Sequence, residues 1–290
     1  MDTVILVDSS SDLPRSFIDE NNIPIVGLTC HLHDVDYVDD FGKTLSYENF
    51  YNEIRNGAMP TTSQVNVFTF VEKFKELLLE NKAIIYLAFD SSISGTYNSA
   101  VIAREQVLEE ISDADITIID TRSASIGEGL LVYKAYEMLK NGEPKEKIIN
   151  WVEDNKFNIH HFFIVEDLNH LRRGGRVSST KAAIGTLLNV KPMIYVNKKG
   201  ELINIASIRG RKKAIKTIIE RFDQNITDKS CEVVCISHGD CLEDALYLKE
   251  MLQEKYKAKK VLINHVGPVI ASHTGAGMLA LCFIGKERII

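Results

Sequence analysis

Apolar and polar positions follow two different regimes along this chain. Near the start, "TVILVD" is a short continuous apolar run ending at Asp8, and the following "SSSDLP" carries helix-start chemistry, with Pro14 suited to a first helical turn. "IPIVGLTCHLH" reads as a second strand and "SYENFYNEIRNG" as a helix closed by Gly57. In "NVFTFVEKFKELLLEN" the residues Phe70, Phe74, Leu77 and Leu78 share one helical face. The strand "AIIYLAF" (83–89), a helix over 95–111, the strand "ITIID" and a helix over 125–140 follow. Gly142 stops that last helix and Pro144 begins another. Strands this continuously apolar, alternating with helices, belong in a parallel sheet covered on both faces. Residues 1–158 are therefore expected to form a three-layer α/β/α domain with a mostly parallel sheet.

Beyond residue 158 the pattern changes. "HHFFIVED" is a strand, with His160 and His161 expected to cap or edge it, and "STKAAIGTLLN" is a helix of small and apolar residues. "VKPMIYVNKKGELINIAS" reads as a hairpin turning at 197–200. A basic helix, the strand "EVVCISHG", a further helix and the strands "KVLINHV" and "MLALCFI" complete the chain. Hairpins mixed with helices point to an α+β domain over residues 159–290.

Length and composition agree with this division. The chain has 290 residues, 45% of them apolar and 26% charged, enough for two domains at the usual ~150 residues each. No apolar run approaches the ~18 residues of a membrane span, and "MDTVILVDSSSD" lacks a basic n-region and a cleavage site, so a cytoplasmic protein is expected. The net charge of -6 argues against nucleic acid as the main partner. The five cysteines form no CxxC pair and are expected to be reduced thiols.

The candidate chemistry sits in loops. "DSSISGTYNSA" (90–100) follows a strand and opens with four hydroxyls, Ser91, Ser92, Ser94 and Thr96, and a glycine but no lysine. The helix after it begins near Ser94, so Ser94 is an N-cap candidate, and the N–H groups of Gly95, Thr96 and Tyr97 would face out of the sheet's carboxyl end. Such a helix start attracts anions, although a plain capping serine would look the same. "MPTTSQ" adds Thr61, Thr62 and Ser63 in a loop before a helix, where ordinary capping is again the alternative. "HTGAG" places His273 beside two glycines. Basic stretches stand out against the acidic whole: Arg172, Arg173 and Arg176 around Gly174–Gly175, then Arg209, Arg211, Lys212, Lys213 and Lys216. His31 and His33 neighbour Asp34 and Asp36 without a third ligand at metal-site spacing, so no metal is expected. There is neither a GxxxxGK[ST] phosphate loop nor a GxSxG elbow.

The segments "VDSSSDLP", "PTTSQ", "SSISGTYNSA", "LRRGGRVS", "LLNVKPM", "RGRKKA", "PVIASHTGAG" and "FIGKE", in this order over nearly the whole chain, resemble the DegV family. That resemblance implies a non-catalytic bacterial protein that binds one long-chain fatty acid in a tunnel near the domain junction. It also implies a role in phospholipid metabolism: some members present the fatty acid to a separate fatty acid kinase subunit, which makes acyl-phosphate. Carried onto this sequence, Thr62 and Ser94 would hydrogen-bond the carboxylate, helped by the Gly95 N–H. His273 would lie beside it, Arg173 would complete the polar surround, and Arg209 would dock the kinase. The fatty acid is then the ligand, with no cofactor. The family commonly has proline where this chain has Val65 and Ala276. "KAAIGTLLNVKPMI" would suit a tunnel wall or plain core. The competing reading is an acyl hydrolase with Ser94 as nucleophile and His273 as base.

Overall fold

A computed structural model describes residues 2–177, 189–227, 232–256 and 258–289. The strands Asp2–Asp8, Ile25–Val26, Lys82–Ala88 and Ile116–Asp120 form an all-parallel sheet with Asp2–Asp8 and Lys82–Ala88 at its centre. The pleat sends alternate residues to opposite faces. Leu6, Ile84 and Tyr86 pack with Phe70, Phe74 and Val107 of the helices Val67–Leu79 and Thr96–Glu110. Ile5, Val7, Ile85 and Leu87 pack with Leu130, Leu131 and Ile148 of the helices Ile126–Lys140 and Lys145–Asn155. This is the three-layer arrangement expected.

The segment "IPIVGLTCHLH" is not one strand. Ile25–Val26 extends the parallel sheet, while Thr29–Leu32 opens a separate antiparallel sheet with Val35–Val38 and Thr61–Ser63. The chain breaks between them at Gly27, where a methyl group would overlap the Asp39 carbonyl and Val38. The hydroxyls of "TTS" accordingly sit on a strand, Cys30 opposite Thr62, rather than in a loop.

The second sheet has six strands in the order Leu202–Arg209, Val190–Val196, Ile159–Ile164, Leu279–Ile284, Val233–His238, Lys260–His265, with only the last pair parallel. The expected hairpin is present, its turn closed by the Gly200 amide donating to the Asn197 carbonyl. Helices Arg211–Asn225 and Leu242–Tyr256 cover one face through Ile215, Phe222, Leu248 and Leu252. The other face turns toward the parallel sheet, and helix Ile126–Lys140 packs against strands of both sheets. His160 and His161 do not edge their strand: Ile159–Ile164 is central, flanked by two antiparallel neighbours, and both rings are buried. The helix expected over 179–189 lies outside the described residues but for its last, and Cys231 does too; Cys30, Cys241 and Cys282 carry free thiols.

Candidate functional site

A cavity of about 310 Å³ lies at the carboxyl end of the parallel sheet, against the inner face of the six-stranded sheet. That is where open α/β sheets place ligands, and the volume is at the lower end of the ~300–1,000 Å³ of small-molecule sites. Leu28, Phe89, Phe163, Val196, Val269 and Ile270 make much of its wall apolar. Thr62, Ser63, Ser94, Gly95, His273 and Arg176 are among its polar members from the segments singled out above.

Thr62 reaches the cavity from its short strand, and His273 from the helix Pro268–Thr274, which begins at proline and ends at Gly275 with φ 76°. Thr62 Oγ1 and His273 Nε2 are 2.7 Å apart. The other ring nitrogen, Nδ1, is buried with no hydrogen-bond partner among the described residues. Gly174 lies so close to this ring that a methyl group would overlap it. Burial pushes the His273 pKa down to about 4, helped by the charges of Arg176 and Arg173 and by His170. The imidazole is therefore neutral near pH 7 and offers one donor and one acceptor.

Helix Thr96–Glu110 starts later than its spacing suggests. Gly95 is the N-cap, with no side-chain cap bond, and Ser94 stands one position outside. The Ser94 hydroxyl accepts the Thr96 N–H at 3.2 Å and lies 2.9 Å from Thr96 Oγ1. Gly95 has no room for a side chain because the Gln64 amide packs on it; Gln64 Nε2 in turn donates to Ser99 Oγ at 2.9 Å. Ser94 and His273 share the cavity, each with another hydroxyl as hydrogen-bond partner.

The arginines divide differently from the sequence expectation. Arg173 is exposed, its Nη2 3.2 Å from His170 Nδ1, and it is absent from the cavity wall. Arg176 lines the cavity instead, donating from Nε to the Ile93 carbonyl at 3.2 Å and from Nη1 to the Gly174 carbonyl at 2.5 Å. Arg209, itself exposed, ends a mostly half-buried edge strand and does not line the cavity. His31 bonds Asp36 at 2.6 Å and Ser63 at 2.5 Å, and no cluster suited to a metal occurs among the described residues.

The sequence reading also passed over Gln64, Ser125 and His161, all on the wall. The period-two alternation of His161 with Phe163 was the available signal for His161. Beneath the wall, "VDSSSD" acts as a tie. The Asp8 carboxylate accepts from the Ser10 amide, the Tyr86 hydroxyl and the Phe89 amide. Asp12 accepts from Ser125 Oγ at 2.5 Å and from the Gly267 amide at 2.8 Å. Two buried carboxyls thus hold the loops carrying Phe89, Ser125 and the His273 helix, and burial raises the pKa of each.

Comparison with known proteins adds a consistent picture. The DegV family model matches residues 2–286. A DegV domain-containing protein of Clostridium perfringens is 50% identical over 285 residues, 98% of each chain. Among solved structures, a DegV family protein from Thermus thermophilus, described for its fatty acid binding, superposes with a TM-score of 0.88 at 30% identity, covering 98% of this chain and 100% of that one. DegV from Bacillus subtilis, described as a fatty acid binding protein, gives 0.84 at 31% identity over 99% and 100%.

Proposed function

The chain belongs to the DegV family, and on that premise we propose that it binds a single long-chain fatty acid, with the carboxylate at Thr62, Ser94, Gly95 and His273 and the acyl chain along the apolar wall. The observation carrying this reading is the hydroxyl–imidazole cluster at one part of an otherwise mostly apolar cavity. A carboxylate has a single charge, so two hydroxyls, a helix-start amide and a neutral imidazole suffice where a polyphosphate would need lysine and magnesium. Among the described residues Arg176 is the cationic side chain on the cavity wall, and Arg173 stays outside it, beside His170. Burying roughly fourteen methylenes at ~0.8 kcal/mol each gives ~11 kcal/mol gross, part of which is lost on association.

In this reading residues 1–158 carry the hydroxyl loops, residues 159–290 carry His273 and the basic clusters, and the protein is a carrier rather than a catalyst. A carboxylate held by hydroxyls remains nucleophilic, which suits presentation to a fatty acid kinase that docks at Arg209. The hydrolase alternative would need Ser94 activated by His273, and the pairing of His273 with Thr62 weighs against it.

Native against denaturing mass spectrometry of the protein purified from a bacterial host tests the reading. A mass excess equal to one fatty acid, released on denaturation, is the expected result. A protein that is empty and ignores added fatty acids overturns it.

A further inference from the structure

We propose that the part of the cavity around His161 is a second recognition point that holds one uncharged oxygen on the acyl chain, so that the preferred ligand is a hydroxylated or oxo long-chain carboxylic acid. The inference rests on the fatty-acid reading above and deepens it.

His161 is only 3% exposed, lines the cavity, and neither ring nitrogen has a hydrogen-bond partner among the described residues. The Ile159 backbone, two residues back, engages the ring in a loose hydrogen bond that falls short of full hydrogen-bond geometry. The neighbouring His160 differs, since its Nε2 reaches the Lys286 carbonyl at 2.7 Å. Buried polar side chains are satisfied as a rule, so an imidazole left unpaired on a cavity wall points to a partner inside the cavity.

Its position is remote from the carboxylate end. Strand Ile159–Ile164 runs toward helix Asn169–Arg173, which packs on the helix carrying His273. His161 stands three residues before the end of that strand, about 10 Å back at ~3.3 Å per residue. Phe163 and its partner Ala280 lie between, and both line the cavity, so the intervening wall is apolar. At the level of His161 the wall turns polar again with Cys282, its strand partner, and Ser125. The Ser125 hydroxyl donates to Asp12 and lies 3.2 Å from Ser237 Oγ, which leaves it acceptor capacity. Gly127 closes this corner: a methyl there would overlap the His161 ring, Nε2 first, so that nitrogen packs close to the Gly127 backbone.

The surroundings select a neutral group. Burial, then Arg288 and His160, hold His161 in its uncharged form. The charge of Arg288 disfavours a cation, and the buried, largely apolar wall disfavours a bare charge of either sign. A hydroxyl both donates and accepts, matching a neutral imidazole beside a serine oxygen; a ketone can use the imidazole N–H alone. An unsubstituted chain would leave the imidazole facing methylenes, with its desolvation uncompensated.

The test titrates the whole protein with stearate, a positional series of hydroxystearates and the matching oxostearates, by displacement of a fluorescent fatty acid. At least one oxygenated isomer is expected to bind about tenfold tighter than stearate. His161→Leu is expected to abolish that preference while keeping or raising stearate affinity, and His161→Gln to keep part of it. Stearate binding tighter than every oxygenated analogue overturns the proposal, and so does an unchanged preference in His161→Leu. Should the leucine variant fail to fold, the wild-type series decides alone. Failure of wild type to bind stearate and every analogue would overturn the underlying fatty-acid reading instead, so the two failures are distinct.

Discussion

Thr62 Oγ1 lies 2.7 Å from His273 Nε2, although 211 positions separate the two residues in the chain. The contact joins a strand of the small antiparallel sheet to a helix of the second half of the chain, and both residues line the cavity. A hydroxyl and a neutral imidazole bonded this way use one of their two protons between them and leave the other as a donor for an incoming carboxylate.

Removing these hydroxyls should separate recognition of the head group from burial of the tail. Thr62→Ala and Ser94→Ala are each expected to weaken fatty acid binding by about 1.5–3 kcal/mol, the range for hydrogen bonds to charged groups. Affinity for the matching fatty alcohol should fall much less. Calorimetric titration of acid and alcohol into wild type and both variants measures this, and equal wild-type affinity for the two ligands would contradict it.

The two arginines should behave differently. Arg176 lines the cavity and ties Ile93 and Gly174 together, whereas Arg173 is exposed and meets His170. Arg176→Ala is expected to reduce fatty acid affinity about tenfold or more, and Arg173→Ala by less than about threefold. A larger loss in Arg173→Ala would reverse the assignment.

Arg209 lies away from the cavity, at the exposed end of an edge strand. Arg209→Ala should leave fatty acid binding unchanged and lower the rate of acyl-phosphate formation when the protein is supplied to a fatty acid kinase. An emptied cavity in that variant would show that the docking surface and the binding site are not separate.

Stability should carry the mark of buried acid. Burial above all raises Asp39 from its ordinary 3.8 to about 7, with the charge of Asp40 adding to it. A carboxyl whose folded pKa lies above its unfolded value binds its proton more tightly in the folded state. Its contribution is complete below pH 3.8 and is lost as pH rises to about 7. His160, His238 and His273, lowered to about 4 by burial, act in the opposite sense, destabilising as pH falls from 6.5 toward 4. Comparison with Asp39→Asn isolates the carboxyl: the variant's Tm should gain on wild type as pH climbs from 4 to 7. A Tm difference that does not change with pH would mean Asp39 stays ionised.

Within single elements, the sequence was a sufficient guide. Phe70, Phe74 and Leu77 at helical spacing, and unbroken runs such as "AIIYLAF", determined a helix face and a central parallel strand because local periodicity reflects which side of an element is buried. Thr62, Ser94 and His273 could be singled out as candidates because hydroxyls and glycines collect where backbone ends need partners, and the structure brings all three to one cavity wall. Four matters were decided only in three dimensions. Gly27 splits one apolar run between two sheets because the Asp39 carbonyl fills its side-chain space. Arg176 rather than Arg173 faces the cavity because the chain turns at Gly174 and Gly175, beside His273. Ser125 joins the wall because Asp12, far away in sequence, holds it there. His161, expected at an edge, is buried in a central strand because Leu279–Ile284 pairs along one side of that strand, Cys282 opposite His161, and Val190–Val196 pairs with Phe162–Ile164 on the other. Each depends on contacts between residues remote in the chain, and local spacing carries no information about which distant backbone will arrive to fill a neighbour's place.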